Sequence, residues 1–229
     1  MIKVCAISDV HGQWSSVNIE PCDILFIGGD IVPLKMQRNV PQSFSWFEKK
    51  FIKWCKAQPV DQIYMVAGNH DFFLKNEQTA KECLRGTNIT ILYNEGAEYL
   101  DNDGKIWTIW GSPLCHIFGN WAFMYSDEYN KEQYEKMPNN VDFLLTHDSA
   151  YEHSDQCLQF IDEEARNLHR GNISLKEVVE KKNPRYHFQG HLHSCNHEIV
   201  TYNETKTACV SLLDETYFMS YKPLYLTIE

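Results

Sequence analysis

Five short apolar runs, each ending in residues able to bind a metal ion, constrain the fold of this chain more than any other feature. The runs end at Ser8-Asp9-Val10-His11, Gly28-Gly29-Asp30, Gly68-Asn69-His70-Asp71, Leu145-Thr146-His147-Asp148 and Gly190-His191-Leu192-His193. Each run is rich in β-branched or aromatic residues, which is typical of a β-strand. Sites in open α/β sheets form outside the carboxyl ends of the strands, so we expect these polar residues to meet at one edge.

Strand-like and helix-like segments alternate along most of the chain, which predicts an α/β fold. The predicted strands are Ile2–Ile7, Asp23–Ile27, Gln62–Val66, Ile89–Leu92, Ile106–Trp110, Phe143–Thr146, Tyr186–Gln189, His197–Tyr202, Thr207–Leu212 and Leu224–Ile228. The predicted helices are Ser43–Ala57, Thr79–Leu84, Asp155–Asn167 and Ser174–Lys181. We expect Ser174 to cap the last helix in a capping box with Glu177. The last three strands favour antiparallel pairing, and without a repeat or linker residues 1–229 are expected to form a single domain.

Charge, hydropathy and cysteine spacing argue against a nucleic-acid-binding, a membrane-spanning or a secreted protein. The formal net charge is −10, which disfavours binding to long duplex nucleic acids because such binding depends on Lys and Arg. No apolar run approaches the roughly 20 residues that span a membrane. The chain reaches Asp9 too soon for a signal peptide. The eight cysteines are scattered without a C-x-x-C pair, which favours reduced, packed thiols and a cytoplasmic location.

The residue types at the strand ends suit a transition-metal site. Asp9 and His11 are two residues apart, so both side chains can point to the same side of a strand. His191 and His193 repeat that spacing. Carboxylate, amide and imidazole groups without a thiolate favour manganese, with iron, zinc, cobalt and nickel as alternatives, over a structural zinc site.

The ordered set D-x-H, G-D, G-N-H-[DE], H and G-H-x-H, running from Asp9 to His193, closely resembles the calcineurin-like metallophosphoesterase superfamily. This resemblance implies a four-layer fold, a β-sandwich of two mixed sheets flanked by helices, with the site at the carboxyl ends of strands. The chain is most similar to the small single-domain phosphodiesterases of the metallophosphoesterase-domain brain-protein type. That similarity depends on Gly111-Ser112-Pro113, on Asn120-Trp121-Ala122-Phe123 and on the short C-terminal tail.

The resemblance also implies roles for individual residues. The implied ligands are Asp9, His11 and His193 for one metal ion, Asn69, His147 and His191 for the other, and Asp30 as the bridge between them. His70 would lie beside the substrate phosphate, as acid to the leaving oxygen or as stabiliser of the transition state. Asp71 is expected to orient His70. Asp148 is expected either to support His147 or to face solvent.

The implied activity is that of a dinuclear metal-dependent phosphoesterase acting on a small phosphorylated substrate. A phosphodiesterase for small or single-stranded diesters is favoured, with attack by a hydroxide shared between the two ions. A phosphomonoesterase for a nucleotide or metabolite, a Ser/Thr protein phosphatase and a non-catalytic scaffold are the alternatives. The arginines that protein phosphatases of this superfamily carry next to the G-D and G-N-H motifs are missing here, which disfavours the protein phosphatase. Because every expected ligand is present, the scaffold is disfavoured as well.

The aromatic segment Gly111–Met124 has no clear periodicity, and we expect it to be a loop folded over the site. The substrate itself and the oligomeric state have no signal in the sequence.

Overall fold

The structure, a computed structural model, describes residues 1–157 and 163–229. Its strands are β1 (Ile2–Ile7), β2 (Cys22–Ile27), β3 (Val60–Met65), β4 (Ile89–Ile91), β5 (Glu95–Leu100), β6 (Ile106–Ser112), β7 (Phe143–Thr146), β8 (Tyr186–Gln189), β9 (Val200–Tyr202), β10 (Thr205–Cys209) and β11 (Leu224–Ile228). Its α-helices are α1 (Val40–Trp46), α2 (Ile52–Lys56), α3 (Glu77–Leu84), α4 (Asp127–Tyr134), α5 (Glu163–Asn167) and α6 (Ile173–Lys182). A π-helical turn at Phe47–Phe51 joins α1 to α2, and short 3₁₀ turns lie at Trp14–Ser16, Leu34–Met36 and Phe72–Lys75.

The strands form two mixed sheets. The first has the order β11-β1-β2-β3-β4, in which β1 to β4 are parallel and β11 is antiparallel to β1. The second has the order β5-β6-β7-β8-β10-β9, in which only the two edge strands are antiparallel to their neighbours. The predicted α/β fold with two mixed sheets is confirmed.

Apolar side chains fill three layers of core between and outside the sheets. Phe26 of the first sheet meets Phe143 and Phe188 of the second in the layer between them. Outside the first sheet, the segment from α1 to α2 contributes buried residues such as Phe47. Outside the second sheet, α4 and α6 pack against it through residues such as Tyr134. Complete burial of one large apolar side chain contributes about 1.5–3 kcal/mol to the free energy of folding. Both faces of each sheet carry such side chains, and the four layers bury most of them.

The two sheets join where β1 and β10 end. The Ser8 backbone N–H donates to the Val210 carbonyl at 2.7 Å, and the Leu212 N–H donates to the Ser8 carbonyl at 2.9 Å. The carboxyl ends of the parallel strands of both sheets therefore meet at one edge.

Most predicted elements are present, and four strands have the predicted bounds. Strand β5 and helix α4 were missed because their sequences, EGAEYL and DEYNKEQY, are too polar to show a clear apolar pattern.

The predicted cap of α6 is wrong: the Asn172 side chain accepts from the Leu175 N–H, while Ser174 donates to the Asp127 carbonyl.

The prediction for Asp155–Asn167 is wrong at its beginning, although α5 (Glu163–Asn167) lies within it. Asp155 to Cys157 are not helical, since the Asp155 carboxylate accepts from the N–H groups of Arg170 and Gly171 instead. Residues 158–162 of this predicted helix lie outside the described residues.

All eight cysteines are free thiols, and seven of them are buried. Across residues 1–157 and 163–229, no helix combines the length and apolar character needed to cross a membrane.

Candidate metal centre

The structure brings together the seven predicted metal ligands and His70 at the edge where the sheets join. Asp9 and His11 follow β1, Asp30 follows β2, Asn69 and His70 follow β3, His147 follows β7, and His191 and His193 follow β8. Six of them form two clusters of side-chain ligand atoms, with Asp30 between the clusters and His70 beside Asp30.

The first cluster consists of Asp9, His11 and His193. Asp9 Oδ1 lies 3.6 Å from His193 Nε2, which lies 3.4 Å from His11 Nε2. Asp9 Oδ2 accepts from Ser211 Oγ at 2.6 Å and from the His191 N–H at 3.0 Å. Asp9 Oδ1 is buried and has no hydrogen-bond partner among the described residues. A cation bound here would contact this free carboxylate oxygen and two imidazole nitrogens.

The second cluster consists of Asn69, His147 and His191. Asn69 Oδ1 lies 2.8 Å from His147 Nε2 and 3.0 Å from His191 Nδ1. His147 Nδ1 lies 2.8 Å from the Gly28 carbonyl and donates to it. That hydrogen bond places the proton on Nδ1, so Nε2 carries the lone pair that faces Asn69.

Asp30 lies between the two clusters. Its Oδ1 accepts from the His70 N–H at 2.8 Å. Its Oδ2 lies 3.6 Å from His11 Nε2 in one cluster and 3.6 Å from His147 Nε2 in the other. One carboxylate oxygen thus faces a ligand atom of each cluster.

The electrostatics of the site suit divalent cations. Burial raises the pKa of Asp30 well above its usual range, and the nearby carboxylates of Asp71 and Asp9 add to this effect. Burial lowers the pKa of His191 to about 3 and that of His11 well below its usual value, so both rings are neutral. The neutral imidazole is the protonation state that binds a metal ion. The hydrogen bond to Asp9 raises the pKa of His193 to about 9, so His193 and Asp30 would release protons when ions bind. The residues present therefore fit two divalent ions.

Several of these residues have left-handed backbone conformations that only glycine adopts readily. The φ angles are 52° at Asp9, 43° at His11, 51° at Asp30 and 69° at His191. Such conformations cost on the order of 1 kcal/mol or more each and persist where the surrounding structure imposes them. The strand-end turns therefore hold these side chains in place at a cost in folding free energy.

Gln37, rather than Asp71, holds the ring of His70. His70 Nδ1 contacts Gln37 Oε1, while Nε2 lies 3.7 Å from Asp30 Oδ2. The Trp121 ring lies 4.4 Å from the His70 ring, and burial lowers the pKa of His70 to about 4.

The prediction that Asp71 orients His70 is wrong. The Asp71 carboxylate accepts from the backbone N–H groups of Gly68 at 2.9 Å, Ile31 at 3.1 Å and Val32 at 3.1 Å. It thereby fastens the turn that carries Asn69 to the turn that carries Asp30.

We expect Asp71→Asn to lower the free energy of unfolding by about 1.5–3 kcal/mol, because buried hydrogen bonds to a charged carboxylate are lost. Urea unfolding of the variant and the parent protein would measure the change. Exposed Glu204 offers a matched control, and Glu204→Gln should leave the unfolding midpoint unchanged. An unchanged midpoint in Asp71→Asn would contradict this role.

Both expectations for Asp148 are wrong. Its side chain is fully buried, and Oδ2 accepts from the His116 N–H and from His116 Nδ1, each at 2.9 Å. Asn172 Nδ2 also donates to it, at 3.1 Å. The ring nitrogens of His147 are bound elsewhere, to Gly28 and Asn69. Asp148 therefore anchors the aromatic segment through His116.

The segment Gly111–Met124 reaches the site as expected, although its first two residues belong to β6. Its Phe118 and Trp121 line a cavity of about 450 Å³ over the seven predicted ligands, which together are called the metal-binding cluster. The other lining residues are Asp30, Leu34, Gln37, Asn69, His70, His191, His193, Glu215 and Tyr217. Gln37, Glu215 and Tyr217 were missed because they lie outside every motif, far along the chain from the residues that they contact.

Comparisons with known proteins show similarity over most of the chain. The sequence profile of the calcineurin-like phosphoesterase family matches residues 2–195. Human metallophosphoesterase domain-containing protein 1 is 25% identical over 210 residues, covering 83% of this chain, and the chain spans only 60% of that protein's length. A probable rhamnogalacturonate lyase C of Emericella nidulans is 24% identical over 225 residues, covering 93% of this chain and 19% of that protein.

Solved structures share the fold at low sequence identity. The phosphopantetheinyl hydrolase of Mycobacterium tuberculosis superposes with a TM-score of 0.60 at 14% identity, covering 94% of this chain and 90% of that one. At this identity the likeness concerns the fold alone.

Proposed function

Because the chain belongs to the calcineurin-like phosphoesterase family, we propose that it is a metal-dependent hydrolase of phosphoric esters, with small phosphodiesters as its preferred substrates. The observation that carries this proposal is the pair of ligand clusters joined by Asp30, with Oδ2 at 3.6 Å from a histidine of each cluster.

Seven side chains would hold two divalent ions. They are Asp9, His11 and His193 for one ion, Asn69, His147 and His191 for the other, and Asp30 for both. When bound, such ions activate water as a nucleophile and neutralise the phosphoryl oxygens. The nitrogen and oxygen donor set supports manganese as the ion, with iron, zinc, cobalt and nickel as alternatives. A cytoplasmic location remains a prediction from the reduced cysteines.

His70 would supply a proton to the leaving oxygen. Its Nδ1 faces the Gln37 Oε1 atom, an acceptor, so the neutral ring carries its proton on Nδ1. Nε2 lies 3.7 Å from Asp30 Oδ2, and because burial lowers the pKa of His70 to about 4, this nitrogen has no proton at the start. It would accept the proton that the attacking water loses and pass it to the leaving oxygen as the ester bond breaks. The Trp121 ring, tilted by 31° with its centroid 4.4 Å away, restricts the His70 ring to this orientation.

The charge of the cavity supports a diester rather than a monoester. None of the described residues that line it is a Lys or an Arg. Near neutral pH a monoester carries about one more negative charge than a diester, and here no lysine or arginine lines the cavity to meet that charge.

Paired rates with bis-p-nitrophenyl phosphate and p-nitrophenyl phosphate in the presence of Mn²⁺ would test the preference. We expect kcat/KM for the diester to exceed that for the monoester by about tenfold or more, equivalent to roughly 1.4 kcal/mol. A faster monoester would favour the phosphomonoesterase alternative. Absence of turnover with both esters, together with absence of bound transition metal in elemental analysis, would favour the non-catalytic scaffold.

A further inference from the structure

Three aromatic rings surround the cavity, and each lies against at least one histidine of the site. The Phe118 ring lies 4.9 Å from His191, and the Trp121 ring lies 4.4 Å from His70. The Tyr217 ring lies edge-on to His11 at 5.0 Å and to His193 at 5.3 Å. We call these three side chains, Phe118, Trp121 and Tyr217, the aromatic rim.

The rim is partly open to solvent although it is apolar. Phe118 is 48% exposed and Tyr217 is 37% exposed. The exposed part of an aromatic ring gains nothing from folding, and exposed apolar surface beside a cavity is typical of a ligand-binding site. The exposed ring surfaces are therefore available to a substrate.

Tyr217 is held at the cavity by an unfavourable backbone conformation. Its φ angle is 63°, which is a genuine outlier for a bulky side chain. Gln13 Nε2 donates to the Tyr217 carbonyl at 3.0 Å, and Asp214 Oδ1 accepts from the N–H groups of Thr216 and Phe218. These contacts impose the strained turn and keep the phenol ring at the cavity, as expected at a functional position.

The only acidic side chain of the cavity outside the metal-binding cluster, among the described residues, is Glu215. Its Oε1 accepts from the Ser194 N–H at 3.2 Å and from Ser194 Oγ at 3.0 Å, which fixes the carboxylate at the cavity. The guanidinium of Arg38 stacks on Trp121 at 4.6 Å and donates to the Asn120 carbonyl, and Arg38 is not among the lining residues. A second anionic group beside Glu215 would thus meet a carboxylate, and none of the lining residues is a lysine or an arginine.

We propose that the aromatic rim and Glu215 select esters with one charged phosphoryl group and a flat apolar substituent. The rim binds the substituent by stacking, and Glu215 repels substrates with a second anionic group. This inference rests on the proposed phosphoesterase function, but its tests compare ratios between substrates rather than the presence of activity.

The stacking part is tested with bis-p-nitrophenyl phosphate and methyl p-nitrophenyl phosphate. The two esters share leaving group and charge and differ only in the aryl or methyl substituent that remains. We expect Tyr217→Gly to lower the aryl-to-methyl ratio of kcat/KM by about fivefold or more relative to the parent, in keeping with the value of one aromatic contact. Glycine relieves the strained φ, so this variant should fold.

Phe218→Ala is the matched control, because Phe218 is adjacent, 71% exposed and not among the lining residues. It should leave the aryl-to-methyl ratio unchanged. An unchanged ratio in Tyr217→Gly, or an equal drop in Phe218→Ala, would overturn the stacking part.

The charge part is tested with the p-nitrophenyl ester of thymidine 5′-phosphate, with and without a 3′-phosphate. We expect the parent protein to prefer the ester without the 3′-phosphate by about tenfold and Glu215→Gln to reduce this preference by about threefold or more. Glu198→Gln, at another exposed glutamate, removes the same charge and should leave the preference unchanged. An unchanged preference in Glu215→Gln would overturn the role of Glu215.

Failure of the proposed function would be recognised separately, as absence of metal-dependent turnover of any ester by the parent protein. In that case calorimetric titration of the metal-loaded protein with diphenyl phosphate and dimethyl phosphate still tests the rim. Diphenyl phosphate should bind more tightly to the parent protein, and Tyr217→Gly should reduce that advantage. Equal binding of the two compounds by the parent would overturn the inference.

Discussion

Asp30→Asn is expected to remove bound metal and to lower kcat/KM by about a thousandfold or more. Asparagine keeps the size of the side chain but loses the charge on Oδ2, the atom that faces His11 and His147 at 3.6 Å. Without this carboxylate the two clusters share no anionic ligand, and transition-state charge stabilisation worth several kcal/mol is lost. Elemental analysis of the purified variant, together with rates at saturating Mn²⁺, would measure both effects.

The control for Asp30→Asn removes a carboxylate from the surface. Asp103 is exposed and pairs only with the N-terminal amine in the described contacts, so Asp103→Asn should keep full metal content and activity. Thermal unfolding of both variants would show that each is folded. Asp30→Asn with parental metal content and rate would contradict the assignment of Asp30 as a shared ligand.

His70→Ala is expected to keep the bound metal while losing turnover of esters with poor leaving groups. Proton transfer by a positioned side chain contributes about 10²–10⁴-fold, and that factor matters most where the leaving oxygen is strongly basic. We therefore expect a loss of that size with phenyl esters and a smaller loss with p-nitrophenyl esters. Rates for the two series, with metal content determined on the same samples, would measure it.

Gln37→Leu should weaken the same proton transfer as His70→Ala, but to a smaller extent. Leucine keeps roughly the volume of glutamine but removes the acceptor that faces His70 Nδ1, so the ring loses one of its two restraints. The variant should show a smaller loss of kcat, also larger for phenyl esters, with KM little changed. Full activity of His70→Ala toward phenyl esters would exclude His70 as the proton donor, whatever Gln37→Leu does.

The site residues could be predicted because each motif is local. A strand followed by two glycines and a carboxylate, as at Gly28-Gly29-Asp30, positions that carboxylate through a few consecutive residues. At Gly29 φ is 99°, and a Cβ there would lie 2.6 Å from the Gly68 backbone nitrogen, so the close approach of the two turns is encoded in the glycines. The sheet then brings the strand ends together, as parallel strands do.

The partners of these residues could not be predicted in the same way. Asp71 was expected to hold its neighbour His70, yet its carboxylate binds backbone N–H groups about 40 positions away, at Ile31 and Val32. Asp148 was expected to serve His147 or solvent, yet it binds His116. A buried carboxylate binds the donors that the fold places around it, and sequence proximity does not determine which donors those are.

The sequence by itself determined the α/β class and the residues at the strand ends, because strand periodicity and turn chemistry act over a few consecutive residues. The family and the two-sheet architecture followed from the resemblance of the ordered motifs to a known superfamily. Only the tertiary structure decided which groups surround them. Gln37 on His70, the strained Tyr217 beside His11 and Glu215 at the cavity come from segments that no motif links to the site. Their positions follow from how loops pack over the strand ends, which depends on the shape of the whole fold rather than on any local pattern.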